Sequence, residues 1–398
     1  MQKLKGSRSA RLAKRTVLPS KSDKLRVLLL GGPFSPIFGF FDMMDALKIR
    51  YVCTALRDAI SEFHWCDLRT HVSNVYMWSF LFPCAITCKF WNGYDCISGT
   101  MMIERISDIM FLKFSRLTYL DLSSIQGTQD LITDAAFSHL CNLTSLNMQG
   151  LSLTSITDAA FSHLGNLRFL NLFCFVKPPI TDSIYINLHN LRTLYVRQSG
   201  AILSDAACIH IGHLTTLYIS QQDLVTDAAF VHLPSLTTLH IKQELFSRIT
   251  EGAFAHLSNL TDLSVPHVTK LTDAAFPHLG NLKKLEIVGQ HDITDAAFAH
   301  LGNLIQLNMS GCNLITDTAF TKLGSLTKLT MIRCSQQTIS TDAFAHLYKL
   351  TTLDITGCNQ LVITPRTFAH LTRLTYLSSD YGRGICPLAS SIFRKNRF

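Results

Sequence analysis

Residues 293–304 read ITDAAFAHLGNL, and versions of this stretch recur along most of the chain. With Phe298 as the anchor, an equivalent residue returns at steps of 22–26 positions. The twelve anchors are Phe111, Phe137, Phe161, Tyr185, Cys208, Phe230, Phe254, Phe276, Phe298, Phe320, Phe344 and Phe368. A period of this length predicts stacked supersecondary repeats, because one short repeat cannot bury its apolar face alone.

Each repeat contains the signals of one strand and one short helix. Leucine stands six and nine residues after every anchor, and an aliphatic residue usually follows two positions later, which predicts a strand with two inward side chains. Before the anchor, Thr294 is suited to cap a helix, and Asp295 complements the positive helix end. The predicted fold is α/β: a curved solenoid with a parallel sheet on its concave side and helices outside.

Side chains eight, ten and twelve positions after each anchor are predicted to point out of the concave side of the sheet. Most of them are small and polar, as in Gln306 and Asn308, but the third to sixth repeats differ. Aromatic residues beside cations are typical of binding hot spots, so we predict that a protein partner binds there. The predicted residues are Phe169, Phe173, Tyr195, Arg197, Tyr218, His240 and Lys242. Alternatively, residues 175–179 cover the two phenylalanines.

His300 has equivalents in most repeats, and this repetition argues against catalysis. The nine histidines at this position are His139, His163, His210, His232, His256, His278, His300, His346 and His370. Nine equal positions indicate a ladder on the helix side, since an active site needs a unique setting. No phosphate loop, nucleophile motif or standard zinc spacing is present, so neither enzymatic activity nor a cofactor or metal is expected. The scattered cysteines favour buried thiols in a reducing compartment.

The basic charge of the chain is concentrated at its ends. Residues 1–26 carry a net charge of +8 and residues 366–398 carry +5, which leaves −5 for residues 27–365. The globular body therefore lacks the basic surface of a nucleic-acid-binding domain. The N-terminus is interpreted as a disordered tail, with a nuclear-import or transit signal as the alternative. The apolar runs at 27–41 and 78–88 fall short of the roughly 18 residues that cross a bilayer, so membrane association is not expected.

The repeats resemble the leucine-rich-repeat superfamily over residues 106–380. Residues 310–317, SGCNLITD, are similar to the cysteine-containing subclass, whose repeats read L-x-x-L-x-L-x-x-C-x-x-I-T-D. Cysteine occupies the signature position only at Cys312, Cys334 and Cys358. The A-F-x-x-L helix also resembles other subclasses.

The segment before the repeats resembles an F-box. Residues 45–60 predict an amphipathic helix whose apolar stripe is formed by Leu47, Val52, Leu56 and Ile60. The family ends its short helices with D-L-x-x-x-x-x-V-C-x-x-W-R-x-x-I and a later tryptophan, and Val52, Cys53 and Trp65 match positions of that pattern. Leu56 replaces its first tryptophan, and the usual Leu-Pro at the start appears as Leu30-Gly31, with Pro33 and Pro36 nearby. A helical cap on the first repeat is the alternative interpretation.

This resemblance implies a substrate-recognition adaptor of a Skp1-cullin-F-box ubiquitin ligase, with Skp1 on the F-box and a protein target on the repeats. The implied Skp1-facing or F-box-packing residues are Phe34, Ile37, Phe38, Phe41, Leu47, Val52, Cys53 and Leu56. A leucine-rich-repeat scaffold with no ubiquitin role is the competing interpretation. A monomeric, cytoplasmic protein is expected, or a nuclear one if the basic tail is an import signal.

The domain organisation follows from these patterns. The predicted segments are a basic tail (1–26), an F-box-like helical domain (27–75), a connecting segment (76–105), about twelve repeats (106–380) and a C-terminal cap and tail (381–398).

Overall fold

The structure, a computed structural model, describes most of the chain between Met43 and Arg383. The described residues are 43–66, 72, 75–90, 106–123, 131–151, 154–173, 179–197, 203–220, 224–242, 248–266, 271–334, 338–358, 368, 370–379 and 382–383. Two compact units are present: Met1–His71 with Tyr76–Thr87, here called the helical module, and Val72–Val75 with Cys88–Phe398, here called the repeat array. No helix among the described residues is long and apolar enough to span a membrane.

Among the described residues, the helical module contains α1 (Met43–Ile49), α2 (Thr54–Glu62) and all but the first residue of α3 (Val75–Leu81). Trp65 is buried there, and its indole nitrogen donates to the Ile60 carbonyl at 2.8 Å. The predicted continuous helix over residues 45–60 is wrong, because the chain turns between Ile49 and Thr54. Two β-branched residues, Ile49 and Val52, weaken helix formation at this corner. Arg50 holds the corner by donating to Ser61 Oγ and the Leu81 carbonyl, each at 3.1 Å.

The repeat array is built on a sheet whose strands lie side by side in chain order. The strands are β1 (Thr87–Lys89), β2 (Tyr119–Asp121), β3 (Ser145–Asn147), β4 (Phe169–Phe173), β5 (Thr193–Arg197), β6 (Thr216–Ser220), β7 (Thr238–Lys242), β8 (Asp262–Ser264), β9 (Lys284–Glu286), β10 (Gln306–Asn308), β11 (Lys328–Thr330), β12 (Thr352–Asp354), β13 (Tyr376–Ser379) and β14 (Gly382–Arg383). From β2 to β13 every neighbouring pair is parallel, and β14 is antiparallel to β13. A parallel sheet with one strand per repeat confirms the predicted leucine-rich-repeat architecture.

In eleven of the twelve repeats the anchor lies in a short helical turn of the described structure, and the fifth repeat has two such turns in succession. Six of these turns are α-helical: Asp108–Phe111, Asp134–Phe137, Asp205–Cys208, Asp227–Val231, Asp295–Phe298 and Asp317–Phe320. Six others are 3₁₀ helices: Asp158–His163, Asp182–Asn187, Ile209–Ile211, Glu251–His256, Asp273–His278 and Thr341–His346. The predicted cap is confirmed at Thr294, whose hydroxyl accepts from the Ala296 amide at 3.3 Å.

The ninth repeat shows how the core is filled. Ile293, Phe298, Leu301 and Met309 are each at most 1% exposed. Leu307, on β10, is also buried, whereas its strand neighbours Gln306 and Asn308 are half-buried. Side chains of a strand point alternately to opposite faces, so the predicted inward and outward positions are confirmed here. We call the face that carries positions eight, ten and twelve after each anchor the open face.

Aspartate side chains tie successive repeats together along the helix side. Asp295 accepts from the Thr316 amide at 2.8 Å and from the Thr316 hydroxyl at 2.5 Å. Similar ties join Asp108 to Thr133, Asp134 to Thr157, Asp158 to Thr181, Asp182 to Ser204, Asp205 to Thr226, Asp227 to Thr250, Asp273 to Thr294 and Asp317 to Ser340. In the described structure Glu251 and Thr272 form no such tie. The recurring spacing of the Thr-Asp pair along the chain therefore serves the joint between repeats as well as the cap.

Candidate functional site

Strands β4 to β7 align the aromatic residues of the open face. Tyr195 pairs in register with Asn171 on one side and with Tyr218 on the other, and Tyr218 pairs with His240. Parallel strands lie about 4.8 Å apart, so side chains at the same register position reach the same point on successive strands. The repeat therefore converts one sequence position into a column of rings.

The column forms a continuous stack, which we call the aromatic ladder: Phe169, Tyr195, Tyr218 and His240. The Tyr195 and Tyr218 rings are 4.0 Å apart with an interplanar angle of 9°, and the Tyr218 and His240 rings are 4.2 Å apart at 24°. Phe169 joins the first tyrosine in a tilted contact at 5.6 Å. All four side chains are half-buried, because each ring covers its neighbour. The sequence predicts exposed aromatics at these positions; the stack leaves their edges exposed and closes most of their faces.

Two cationic side chains flank the aromatic ladder twelve positions after their anchors. Arg197 lies over the Phe173 ring, with its guanidinium carbon 5.0 Å from the ring centroid. This contact follows from the register that pairs Phe173 with Arg197. Lys242 is exposed at the end of β7. All seven residues predicted for the partner site thus lie on one face of four neighbouring strands. The loop predicted to cover the two phenylalanines lies outside the described residues except for Pro179.

The Tyr195 hydroxyl of the ladder is neutral at physiological pH. Burial, together with the neighbouring Tyr218 hydroxyl, raises the pKa of Tyr195 to about 12. Tyr195 therefore presents a hydroxyl that can donate or accept a hydrogen bond, on an otherwise apolar ring. Such amphipathic rings are common at protein interfaces.

A group of ionic side chains continues the open face beyond His240, and the sequence prediction missed it. Lys284 Nζ lies 3.4 Å from Asp262 Oδ2, and His240 Nε2 lies 3.6 Å from Asp262 Oδ1. Glu286 accepts from Ser264 at 2.8 Å and from Asn308 at 3.1 Å. An open cavity of about 320 Å³ lies over this group. One sequence signal could have predicted this group. At positions eight and ten after the anchor, charged residues replace small polar ones in the seventh and eighth repeats.

The charge of Asp262 depends on these neighbours. His240 and then Lys284 lower the pKa of the Asp262 carboxyl, although partial burial acts in the opposite direction. The 3.6 Å separation is too long for a good hydrogen bond, so we attribute the effect of His240 to charge proximity. The carboxylate is therefore the stable form at neutral pH and can hold its two neighbours in place.

The residues predicted for the adaptor site fall partly outside the described residues. Phe34, Ile37, Phe38 and Phe41 lie there, and nothing in the structure tests them. Of the remaining four, Val52 is 70% exposed and Cys53, which opens α2, is exposed too. Leu47 and Leu56 are half-buried in α1 and α2. Tyr51, which the sequence prediction did not include, is 86% exposed beside Val52.

The repeated histidines lie on the helix side, away from the open face. His163, His210, His232, His256, His278, His300, His346 and His370 are exposed, and His139 is half-buried. Among the described residues no three His, Cys, Asp or Glu side chains form a group that could hold a metal ion. The buried thiols of Cys312 and Cys334 instead donate to carbonyls of the preceding repeat, Ile287 O at 3.0 Å and Met309 O at 3.2 Å.

One family model matches most of the chain. It is described as a BspA-type leucine-rich-repeat region and occurs in six copies over residues 96–210, 179–305, 223–351 and 291–382. Residues 310–317 predict a different, cysteine-containing subclass, and that finer assignment stays a prediction. The F-box resemblance also stays a prediction. No curated protein matches the chain.

Solved structures with leucine-rich repeats are similar in fold. An internalin of Listeria monocytogenes, InlF, is 22% identical with a TM-score of 0.50, and the match covers 71% of this chain and 85% of the internalin. TLR13 from its complex with ssRNA13 is 20% identical, with a TM-score of 0.51 and coverages of 74% and 49%. Toll from the Drosophila Toll–Spatzle complex is 16% identical, with a TM-score of 0.51 and coverages of 84% and 44%. These likenesses show the fold alone, and the chain spans less than half of either Toll-type protein.

Proposed function

The chain belongs to the BspA-type leucine-rich-repeat family, and on that basis we propose that it is a protein–protein interaction scaffold whose partner binds the open face over β4–β7. The observation that carries this proposal is the aromatic ladder. Elsewhere on the face, Tyr119 and Tyr376 also carry rings at outward positions, but their register partners Ser145 and Thr352 are polar. Tyrosine and arginine side chains in a preorganised patch supply large contact areas at low entropic cost.

A cross-linking experiment tests this proposal. A photoreactive p-benzoylphenylalanine at position 216 would stand on the open face beside the ladder, and the same probe at position 321 would stand on the exposed helix side. We expect partners to cross-link through position 216 and not through position 321. Equal cross-linking from both positions, or none from 216, would contradict the proposal.

Two variants localise the binding energy. We expect the combined change Tyr195→Ala, Arg197→Ala and Tyr218→Ala to reduce partner capture by at least about tenfold, because hot-spot truncations typically cost about 2 kcal/mol or more. The matched control, His210→Ala, His232→Ala and His256→Ala, removes three exposed rings from the helix side and should leave capture unchanged. Circular dichroism would show that both variants keep the fold. Capture that survives the ladder variant would place the partner elsewhere.

A second candidate function, the ubiquitin-ligase adaptor role, is supported by the exposed apolar corner of the helical module. Tyr51 and Val52, 86% and 70% exposed, present adjoining apolar side chains between α1 and α2. In the F-box resemblance Val52 and Cys53 belong to the segment that faces or supports the Skp1 adaptor. An apolar corner of this kind is suited to a protein partner.

Co-expression with a Skp1-type adaptor separates the two candidates. If the adaptor role is right, Skp1 should co-purify with the full chain, and Val52→Asp should abolish the complex. Tyr348→Asp, which changes an exposed apolar residue of the repeat array, is the matched control and should not. Failure of the folded wild-type chain to bind Skp1 would end the adaptor hypothesis and leave the scaffold proposal standing.

A further inference from the structure

The cavity at the end of the aromatic ladder has an unequal supply of donors and acceptors. Its walls include His240, Asp262, Lys284, Glu286 and Lys328. His240, which lines the cavity, stacks on Tyr218, so the cavity begins one strand beyond that tyrosine. A partner bound along the ladder would therefore reach these charged groups with its next few residues.

The carboxylate acceptors of the cavity are already engaged. Each carboxylate oxygen of Glu286 accepts a hydrogen bond, one from the Ser264 hydroxyl and the other from the Asn308 amide. Asp262 lies between Lys284 and His240 and is within ion-pair distance of both. A further cation from a partner would have to displace these contacts.

The donors, in contrast, retain capacity. The 3.4 Å separation between Lys284 and Asp262 is longer than a charge-assisted hydrogen bond, and the Lys284 side chain is 54% exposed. Lys328 is exposed, and in the part of the chain that the structure describes it forms no ion pair. Unused donors in a cavity favour a ligand that brings acceptors.

The net charge of the wider open face also favours an acidic partner. Outward positions of β4–β11 carry four cations and two carboxylates, a net charge of +2, while residues 27–365 together carry −5. The cations are Arg197, Lys242, Lys284 and Lys328, and the carboxylates are Asp262 and Glu286. The centre of the open face is thus a positive patch on a negative body, which attracts acidic partners and repels basic ones.

We infer that the partner presents an acidic polypeptide segment to this face, with a carboxylate held by Lys284 and Lys328 and a neighbouring apolar side chain against Tyr218. This inference rests on the proposed function and specifies the chemistry of the partner. The carboxylate would occupy the cavity and accept hydrogen bonds from the lysine ammonium groups. Asp262 would keep Lys284 oriented toward it.

A single-stranded nucleic acid is also anionic, but the ladder is unsuited to it. Base recognition on aromatic platforms needs open ring faces. The faces between Tyr195, Tyr218 and His240 are closed by contacts of 4.0 and 4.2 Å. The rings offer their edges and hydroxyls, which are suited to side chains of a protein.

Selection from a phage-displayed library of random dodecapeptides on the full chain tests the inference. We expect the recovered peptides to be enriched in Asp and Glu next to an aromatic or aliphatic residue. Lys284→Glu should weaken their binding at least tenfold, and replacing the acidic residues of the peptide by lysine should restore binding to that variant. Lys322→Glu, the same charge reversal at an exposed position of the helix side, is the matched control and should leave binding unchanged.

The outcomes distinguish this inference from the scaffold proposal. Peptides that require Tyr218 but show no acidic preference, and bind Lys284→Glu as tightly as the wild type, would overturn the inference and leave the scaffold proposal intact. Recovery of no peptide specific for the open face would also count against it. Displacement of the selected peptides by oligouridylate at physiological salt would overturn it in favour of RNA. Unfolding temperatures of both lysine variants, measured alongside, establish that the comparison is made on folded protein.

Discussion

Tyr185 occupies the anchor position that phenylalanine holds in ten of the twelve repeats. Its side chain is fully buried, and its hydroxyl has no hydrogen-bond partner among the described residues. Burial raises the pKa of this hydroxyl well above its ordinary value, so the neutral form is retained. An unpaired buried hydroxyl costs free energy that the phenylalanine of a neighbouring repeat does not incur.

Replacing Tyr185 by phenylalanine should therefore not destabilise the protein. We expect the free energy of unfolding to stay constant or to rise by up to about 1 kcal/mol, as measured by chemical denaturation. Tyr185→Ala, which removes the ring as well, should lower it by about 3–5 kcal/mol. A clear loss of stability in the phenylalanine variant would reveal a hydrogen bond to this hydroxyl.

Asp262 gives a pH-dependent prediction at the same scale. Because His240 and Lys284 lower its pKa in the folded state, the carboxylate stabilises the fold above its unfolded pKa, and this contribution is lost as the pH falls through the folded pKa. The stability difference between wild type and Asp262→Asn should thus be present at neutral pH and disappear below the ordinary aspartate pKa of about 3.9. Denaturation curves over a pH series measure it. A stability difference that stays undiminished well below that pKa would contradict the assigned sign.

At the scale of the elements, the stability of each helical turn depends more on contacts with the neighbouring repeats than on its own hydrogen bonds. A turn of four residues such as Asp295–Phe298 is far shorter than the 12 or so residues at which isolated helices become marginally stable. The two hydrogen bonds from Thr316 to Asp295 place this turn against the next repeat. The Asp295 carboxylate therefore stabilises mainly the contact between repeats. Its interaction with the helix dipole is small, because so short a helix has only a small dipole.

The joints can be tested with a control that the chain itself supplies. Asp295→Ala should lower the free energy of unfolding by about 1–3 kcal/mol, because it leaves the Thr316 amide and hydroxyl without their acceptor. Glu251→Ala changes the equivalent position of the seventh repeat, where no tie to Thr272 is present in the described structure, and should change stability by less than about 0.5 kcal/mol. Equal effects in the two variants would show that the ties are not what stabilises the array.

At this scale the sequence predicts some features and not others. Leucines at fixed spacing predict the strands, and Thr294 predicts its cap, because both signals are local. The tie from Asp295 to Thr316 spans 21 residues and appears in the sequence only as a second copy of the same Thr-Asp pair. The break between α1 and α2 was missed because Leu47, Val52, Leu56 and Ile60 also fit one continuous helix. The apolar pattern outweighed the weak helix propensity of Ile49 and Val52.

The part of the candidate site that carries aromatic residues could be predicted from the sequence. Tyr195 and Tyr218 are unlike the small polar residues of other repeats, so the ladder could be located from the sequence. Stacking itself depends on the strand register, which only the structure supplies. The group around Asp262 and Lys284 was missed because isolated charges usually indicate a solvated surface, and their closeness is a property of neighbouring strands.

For the whole molecule, a linear stack of repeats implies that a destabilising substitution affects mainly its own repeat and the adjacent ones. Each repeat packs on the one before and the one after, so stability is close to a sum of repeat and interface terms. Phe298→Ala should cost about 3–5 kcal/mol, because it empties a fully buried position. Hydrogen exchange should accelerate in β9–β11 and remain slow in β3–β5. Uniform acceleration along β2–β13 would instead indicate a single cooperative core.

The joint between the seventh and eighth repeats differs from the others described. Its helix side lacks the carboxylate tie, since Glu251 does not reach Thr272, while its open face is bridged by Asp262 to Lys284 and by Ser264 to Glu286. The open-face contacts of this joint use the same charged groups that line the cavity, so a ligand that engages Lys284 competes with a side-chain contact that joins these two repeats.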